Sequence, residues 1–199
     1  MGCRGTNKKG STVAVRDRLI ASAIGLMRRH GVAGTGISEL IDQAGIARRS
    51  LYLNFPGGKS ELLAEATAAA GHTITQTVTA LSGHGPVRAL QTFIQGWRDM
   101  LAESEFTAGC PIVAAALGRT EAPEVAEVSG QVFTEWERKL TDEFCAADIE
   151  PATAQDLATT TLAAVEGAIV MAIATQTVTP LDRVGRVLTE LIGRHVDVS

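Results

Sequence analysis

Apolar residues along this chain recur at intervals of three and four and hardly ever alternate at two, so the pattern predicts helices throughout. Leu19, Ile20, Ala23, Ile24, Leu26 and Met27 form the first stripe. They predict a helix from about Thr12 to His30, stopped by Gly31. A second, short helix carries Leu40, Ile41 and Ala44, with Ser38 placed to cap it and Gly45 to end it. A third runs from about Ala47 to Asn54, with Leu51 and Phe55 turned inward. Beyond Pro56-Gly57-Gly58, a long helix extends from about Lys59 to Leu81 and ends at Ser82-Gly83-His84-Gly85-Pro86. Five more helices are expected near 86–105, 111–118, 123–147, 152–176 and 180–195. Gly109, Pro111, Pro123, Pro151 and Pro180 mark the breaks between them.

The fold class is therefore all-α. A small helical unit at residues 1–57 is joined by the long helix to a larger helical unit at 58–199. With 199 residues, 45% of them hydrophobic and only 4% aromatic, the chain can bury a sizeable core. No apolar run reaches the ~18–20 residues of a membrane span. The first apolar run is followed by Arg28 and Arg29 rather than by a cleavage site. Cys3, Cys110 and Cys145 are too few and too scattered for a disulfide framework. A cytoplasmic protein with no membrane partner is expected.

Charge sharpens this picture. The net charge of −4 hides a division. Residues 1–59 carry ten lysines and arginines against three acids, a net +7, and the rest carries eight bases against nineteen acids, a net −11. A basic block on an acidic one implies that the first block meets a polyanion. Residues 1–11, rich in Gly, Lys and Arg, read as a mobile arm.

The chemistry lies between Ile37 and Lys59. Two short helices joined by a Gly-containing turn are the pattern of a helix-turn-helix, whose second helix enters the major groove. That second helix carries Arg48, Arg49, Ser50, Tyr52 and Asn54, side chains that reach and hydrogen-bond. Arginine forks onto guanine or phosphate, and asparagine suits adenine. Lys59 falls at the start of the fourth helix, where its charge would add to the free N–H groups of the helix end as a phosphate clamp. Thr35 and Ser38 are further candidates for phosphate contact. An ordinary helical hairpin with a solvated basic face is the bland alternative.

Other patterns lead nowhere. Gly58-Lys59-Ser60 mimics the tail of a phosphate-binding loop, but its first glycine would fall on Leu53 and no strand precedes it. His30, His72, His84 and His195 are scattered, no Cys/His spacing fits a metal, and no nucleophile–base set can be assembled. No metal, no cofactor and no enzymatic activity are expected.

His30-Gly31 through Thr35, Ile37, Leu40, Ala44-Gly45-Ile46, Ser50-Leu51-Tyr52, Phe55, Lys59 and Glu61-Leu62 resemble the N-terminal domain of TetR-type repressors. Upstream, Leu19, Ile20, Ala23, Leu26 and Met27 match that family's first helix. Phe55-Pro56-Gly57-Gly58-Lys59 is one residue longer than the usual spacing. With Gly109-Cys110-Pro111 and Trp136, it resembles the LmrA/YxaF subgroup. There are departures: Ala47 replaces the hydroxyl residue that usually caps the recognition helix, Gly36 follows Thr35 where a second hydroxyl is common, and Asn54 replaces a frequent His.

The resemblance implies a homodimeric, ligand-responsive repressor that binds a palindromic double-stranded DNA operator and is released by a small, mostly apolar effector. An activator of the same fold, or a helical small-molecule-binding protein without DNA function, are the alternatives. Effector contacts would come from His72, Gln76, Phe93, Trp97, Met100, Cys110, Phe133 and Trp136, with Gln95 and Gln131 as further polar candidates. The dimer face would be Leu157, Thr160, Thr161, Ala164, Val165, Ala168, Met171 and Ala172 on one helix, and Leu181, Val184, Leu188, Leu191 and Ile192 on the next.

Overall fold

The computed structural model describes residues 8–196; the side-chain surroundings of the first residues up to 13 and of Ser82 are outside it. Among the described residues there are nine α-helices and no strand: α1 (Lys8–Gly34), α2 (Ile37–Ala44), α3 (Arg48–Asn54), α4 (Gly58–Leu81), α5 (Pro86–Glu103), α6 (Pro111–Leu117), α7 (Pro123–Ala146), α8 (Pro151–Thr175) and α9 (Thr179–Val196). A 3₁₀ turn at Ser82–His84 separates α4 from α5. Most helix ends fall within two residues of expectation. Pro86, Pro111, Pro123 and Pro151 each begin a helix, where a missing N–H costs nothing and φ is already helical.

Helix α1 departs most. It begins at Lys8, so part of the expected arm is helical, while residues 1–7 lie outside the described residues. Gly31 bends it without ending it: φ is 68° there, and one more turn follows to Gly34. The Thr35 hydroxyl donates to the Gly31 carbonyl at 2.7 Å and satisfies a group the bend frees.

Helices α2 and α3 meet at Gly45. Its left-handed φ of 62° lets its N–H reach Asp42 O and the Ile46 N–H reach Ile41 O. A residue with a Cβ would be strained there. Ser38 does not cap α2. Gly36 is the capping residue, in extended conformation and without a side-chain bond, so Ser38 lies exposed inside the first turn. Ala47 leads α3 with no side-chain cap, as its methyl group requires.

There are two cores. The first joins Leu19, Leu26, Met27, Leu40, Leu51 and Phe55 to Leu62, Leu63 and Ala66 of α4, and is completed by Ala115, Ala122 and Val125 from α6 and the start of α7. Gly118 permits this closeness, since a Cβ there would come within 2.6 Å of the Val32 side chain. The second core fills the space between α4, α5, α7, α8 and α9 with Trp97, Leu101, Trp136, Phe144, Ile169 and Leu188 among others. Ion pairs Arg16–Glu65 and Arg98–Asp182 bind α1 to α4 and α5 to α9.

Two sequence readings of α8 and α9 are corrected. By length and composition α8 could cross a membrane, because alanine, isoleucine, valine and leucine offset its threonines over a long enough stretch of its 25 residues. In this fold it packs between α7 and α9. Most of the residues expected to meet a partner chain instead face inward: Leu157, Thr161, Val165, Ala168 and Ala172, with Leu181, Leu188 and Ile192, are buried within the chain, while Thr160 and Met171 are exposed. The outward face of α8 carries Thr160, Ala163, Gly167, Val170, Met171 and Ala174.

Phe55 is fully buried, with the Arg16 guanidinium 5.0 Å from its ring centre. Phe55→Ala is expected to cost ~3–5 kcal/mol. Urea unfolding followed by circular dichroism checks this, and an unchanged midpoint would remove Phe55 from the first core.

Candidate functional site

Helix α3 is held by its inner side and displays the other. Leu51 is buried under α1, while Arg48 and Arg49 are exposed and Tyr52 and Leu53 are 43% and 69% exposed. Positions 48, 49, 52 and 53 occupy one helical face. Two guanidinium forks, a phenol and a leucine therefore point the same way. Sequence reasoning missed Leu53, because an apolar residue in a short helix reads as core. On a DNA-facing surface it can touch a thymine methyl.

The remaining predicted contacts divide. Ser38 is exposed in the first turn of α2. Ser50 is half-buried, and its carbonyl accepts from Asn54 Nδ2 at 2.7 Å. Asn54 is thereby tied to its own helix, with Oδ1 buried and unpartnered; it does not project as a base-reading side chain. Thr35 is fully buried with its hydroxyl on Gly31, so it offers nothing to a phosphate.

Lys59 donates to the Val32 carbonyl at 3.1 Å, which commits one of its three N–H groups to the end of α1. The start of α4 is not an open anion site either, since the Glu61 carboxylate accepts from the Gly57 N–H at 2.6 Å. An acid in the first turn already answers the positive end of that helix.

The larger unit holds an apolar cavity of about 80 Å³ between α4, α5, α7, α8 and α9. Of the predicted effector contacts, Phe93 and Trp136 line it. Trp136 is fixed there: its indole N–H donates to Thr75 Oγ1 at 3.0 Å, and Phe133 meets its ring edge-on at 5.5 Å. Trp97 is buried in the core, and Met100 and Phe133 pack against it without lining the cavity. His72 and Gln76 are exposed on the outer side of α4, bonded to each other at 2.9 Å. Gln95 and Gln131 are exposed as well. The helical period placed these four on the wrong face because α4, α5 and α7 are wetted along one side.

Cys110 lines a separate groove between α1, α6 and α8. Burial pushes its thiol well up, and the thiol lies against the Glu166 carboxyl. Glu166, which sequence reasoning did not single out, lines both the groove and the cavity. Burial raises its carboxyl to about 7, partly opposed by the Cys110 bond. Beside it, Arg28 Nε donates to Gly109 O at 2.9 Å, and the Gly109 N–H returns to Arg28 O at 2.9 Å. These reciprocal bonds fasten α1 to the segment leading into α6. No group of His, Cys, Asp and Glu among the described residues has the arrangement of a metal site.

A paired short-helix reader on one core, joined to a larger helical unit with its own cavity, defines a helix-turn-helix regulator. The comparisons agree. Residues 19–66 match the model for bacterial regulatory proteins of the tetR family, and residues 86–187 match the C-terminal domain of LmrA/YxaF-like transcriptional regulators. The chain belongs to the TetR family of transcriptional regulators. It is 34% identical to an uncharacterized HTH-type transcriptional regulator of Mycobacterium tuberculosis strain H37Rv, over 89% of this chain and 93% of that one. It is 24% identical to the HTH-type transcriptional regulator LmrA of Bacillus subtilis, over 90% and 97%.

Among solved structures, a TetR transcriptional regulator from Chloroflexus aurantiacus superposes with a TM-score of 0.78 at 26% identity, over 94% of this chain and 98% of that one. Regulatory protein TetR from Rhodobacter sphaeroides does so with 0.81 at 19% identity, over 88% and 97%.

The raised Glu166 carboxyl has a consequence for stability. Its folded pKa lies above its unfolded value, so the stability it contributes is full below about pH 4.5 and is lost as pH rises to about 7. Urea unfolding should show the native protein losing ~2–3 kcal/mol between pH 5 and pH 8 from this group, and Glu166→Gln should remove that slope. A slope unchanged in the variant would assign it elsewhere.

Proposed function

We propose that the protein is a homodimeric, ligand-responsive repressor acting on cytoplasmic DNA. Residues 1–57 form the reading unit, and residues 58–199 form the effector and dimerisation unit. The carrying observation is the face of α3, where Arg48, Arg49, Tyr52 and Leu53 project together from a helix anchored by buried Leu51. Arg48 and Arg49 divide guanine and phosphate contacts, and Tyr52 holds the backbone. Leu53 touches a thymine methyl. Ser38 and the remaining donors of Lys59 fix register on phosphates.

Two such helices read a palindrome only when a dimer holds them one DNA turn apart or a multiple of it, ~34–36 Å for one turn. The surface that supports dimerisation is the outward stripe of α8, where Val170 and Met171 are 51% and 57% exposed, together with Val187 of α9 at 54%. Small residues at 160, 163, 167 and 174 let a partner helix approach closely. The effector enters the cavity beside Trp136. It weakens DNA binding only insofar as it prefers the arrangement that spaces the reading helices wrongly, with a coupling typically of ~1–3 kcal/mol. The Arg28–Gly109 fastening is the path from the larger unit to α1.

Selection of bound genomic fragments supplies the operator. Gel-shift titration on it should then show Arg49→Ala losing ~1–3 kcal/mol, and each neutralised phosphate adding about −0.9 to the slope of log affinity against log salt. Binding that ignores both the substitution and salt would leave a helical ligand carrier as the better reading. Light scattering at micromolar concentration should give a dimer mass, and Met171→Glu should shift it toward the monomer. A monomeric native protein would overturn the interface.

A further inference from the structure

Four buried side-chain atoms have no hydrogen-bond partner among the described residues: Arg28 Nη2, Asn54 Oδ1, Thr161 Oγ1 and Glu166 Oε2. Two of them, Thr161 Oγ1 and Glu166 Oε2, belong to lining residues of the same cavity and to the same helix. Buried polar atoms are nearly always satisfied, and an unpaired buried carboxylate oxygen is especially unfavourable. Both are unpaired polar atoms on side chains that line the cavity, with no protein group among the described residues to satisfy them.

The lining also decides the sign of that group. Among the described residues Lys139 is the sole lining base, against two carboxyls, Glu143 and Glu166. Apart from Thr75 and Thr161 the rest is apolar, with the rings of Phe93, Trp136 and Phe144 offering π-faces to a positive charge. An anion would meet two carboxyls, a hydrocarbon would leave both orphan oxygens unpaired, and a neutral alcohol would leave the buried carboxylate without a counter-charge.

We propose that the cavity takes a small aryl-alkyl amine in its protonated form, its ammonium donating to Glu166 Oε2 and Thr161 Oγ1 and its ring lying against Trp136. This inference rests on the reading of the cavity as the effector site and names the class of effector. At about 80 Å³ the cavity is smaller than the ~150 Å³ void that accepts benzene. A single-ring amine therefore enters only as the surrounding helices give way, which is what an effector must cause.

The preference depends on pH. Below the range in which Glu166 ionises, the ammonium meets a neutral carboxyl and loses its counter-charge. The groups facing Glu166 are the Cys110 thiol and Arg28 at the groove, His30 and Glu121 on the groove lining, and Lys139 and Glu143 from α7. The lining residues of α4, α5 and α9 carry no titratable side chain. The Glu166→Gln protein serves as the control for the other facing groups.

The test is calorimetric titration of the full chain with benzylamine and 2-phenylethylamine against benzyl alcohol and 2-phenylethanol at pH 6 and pH 8, with tryptophan emission recorded. At pH 8 each amine should bind at least about tenfold more tightly than its alcohol, as one compensated charge implies. The preference should shrink several-fold at pH 6, and both Glu166→Gln and Thr161→Val should reduce it at pH 8, the former to nothing. Alcohols binding as well as amines, or a preference that survives in Glu166→Gln, overturns the inference while leaving a ligand-binding cavity in place. Neither class binding, with emission unchanged at millimolar ligand, overturns the inference and the cavity reading together.

Discussion

The reading unit does not close its own core. Helices α1 to α3 leave an apolar surface that α4 covers only in part, and Ala115, Ala122 and Val125 from the larger unit complete it. The consequence is mechanical as well as energetic. A helix-turn-helix that borrows core residues from α6 and α7 cannot shift freely, because any rotation exposes apolar surface on both sides. The reciprocal Arg28–Gly109 bonds reinforce the same boundary with two directed contacts. Helices α1 and α6 are therefore joined both by packing and by directed hydrogen bonds.

Around that boundary the chain uses its charges in two ways. On α3, away from the core, Arg48 and Arg49 remain in water and retain their full reach. At the junction, Arg28 is half-buried and Glu166 more deeply so, and burial opposes the charge of each. The Cys110 thiol lies between them. Exposed charges meet a partner at little cost, whereas buried ones store an unfavourable state that a ligand or a shift of helices can relieve. The first set suits recognition and the second suits response.

The helices and the reader were legible because their signals are local. Proline opens α5, α6, α7 and α8, and Gly45 adopts the left-handed conformation a sharp turn between α2 and α3 requires. The family pattern over residues 19–66 follows from the same short-range features. Lys59 was less legible, since its partner, the Val32 carbonyl, lies in the last turn of α1, 27 residues earlier in the chain. Thr35, a polar residue read as a phosphate contact, lies inside, and Leu53, an apolar residue not read as a contact, lies outside.

By itself the sequence determined the number of helices, their approximate ends, the basic character of the first unit and the helix-turn-helix within it. All of these depend on propensity, period and turn chemistry between near neighbours. Tertiary structure alone decided which stripe of α8 and α9 faces inward, for both helices carry apolar residues on more than one side. It also decided that Glu166, one carboxyl in a helix of alanine, threonine and valine, lies between a cavity and the domain junction. No period marks a single buried acid. Its position depends on how α1, α6, α7 and α8 pack around it, and those contacts join residues far apart in the chain.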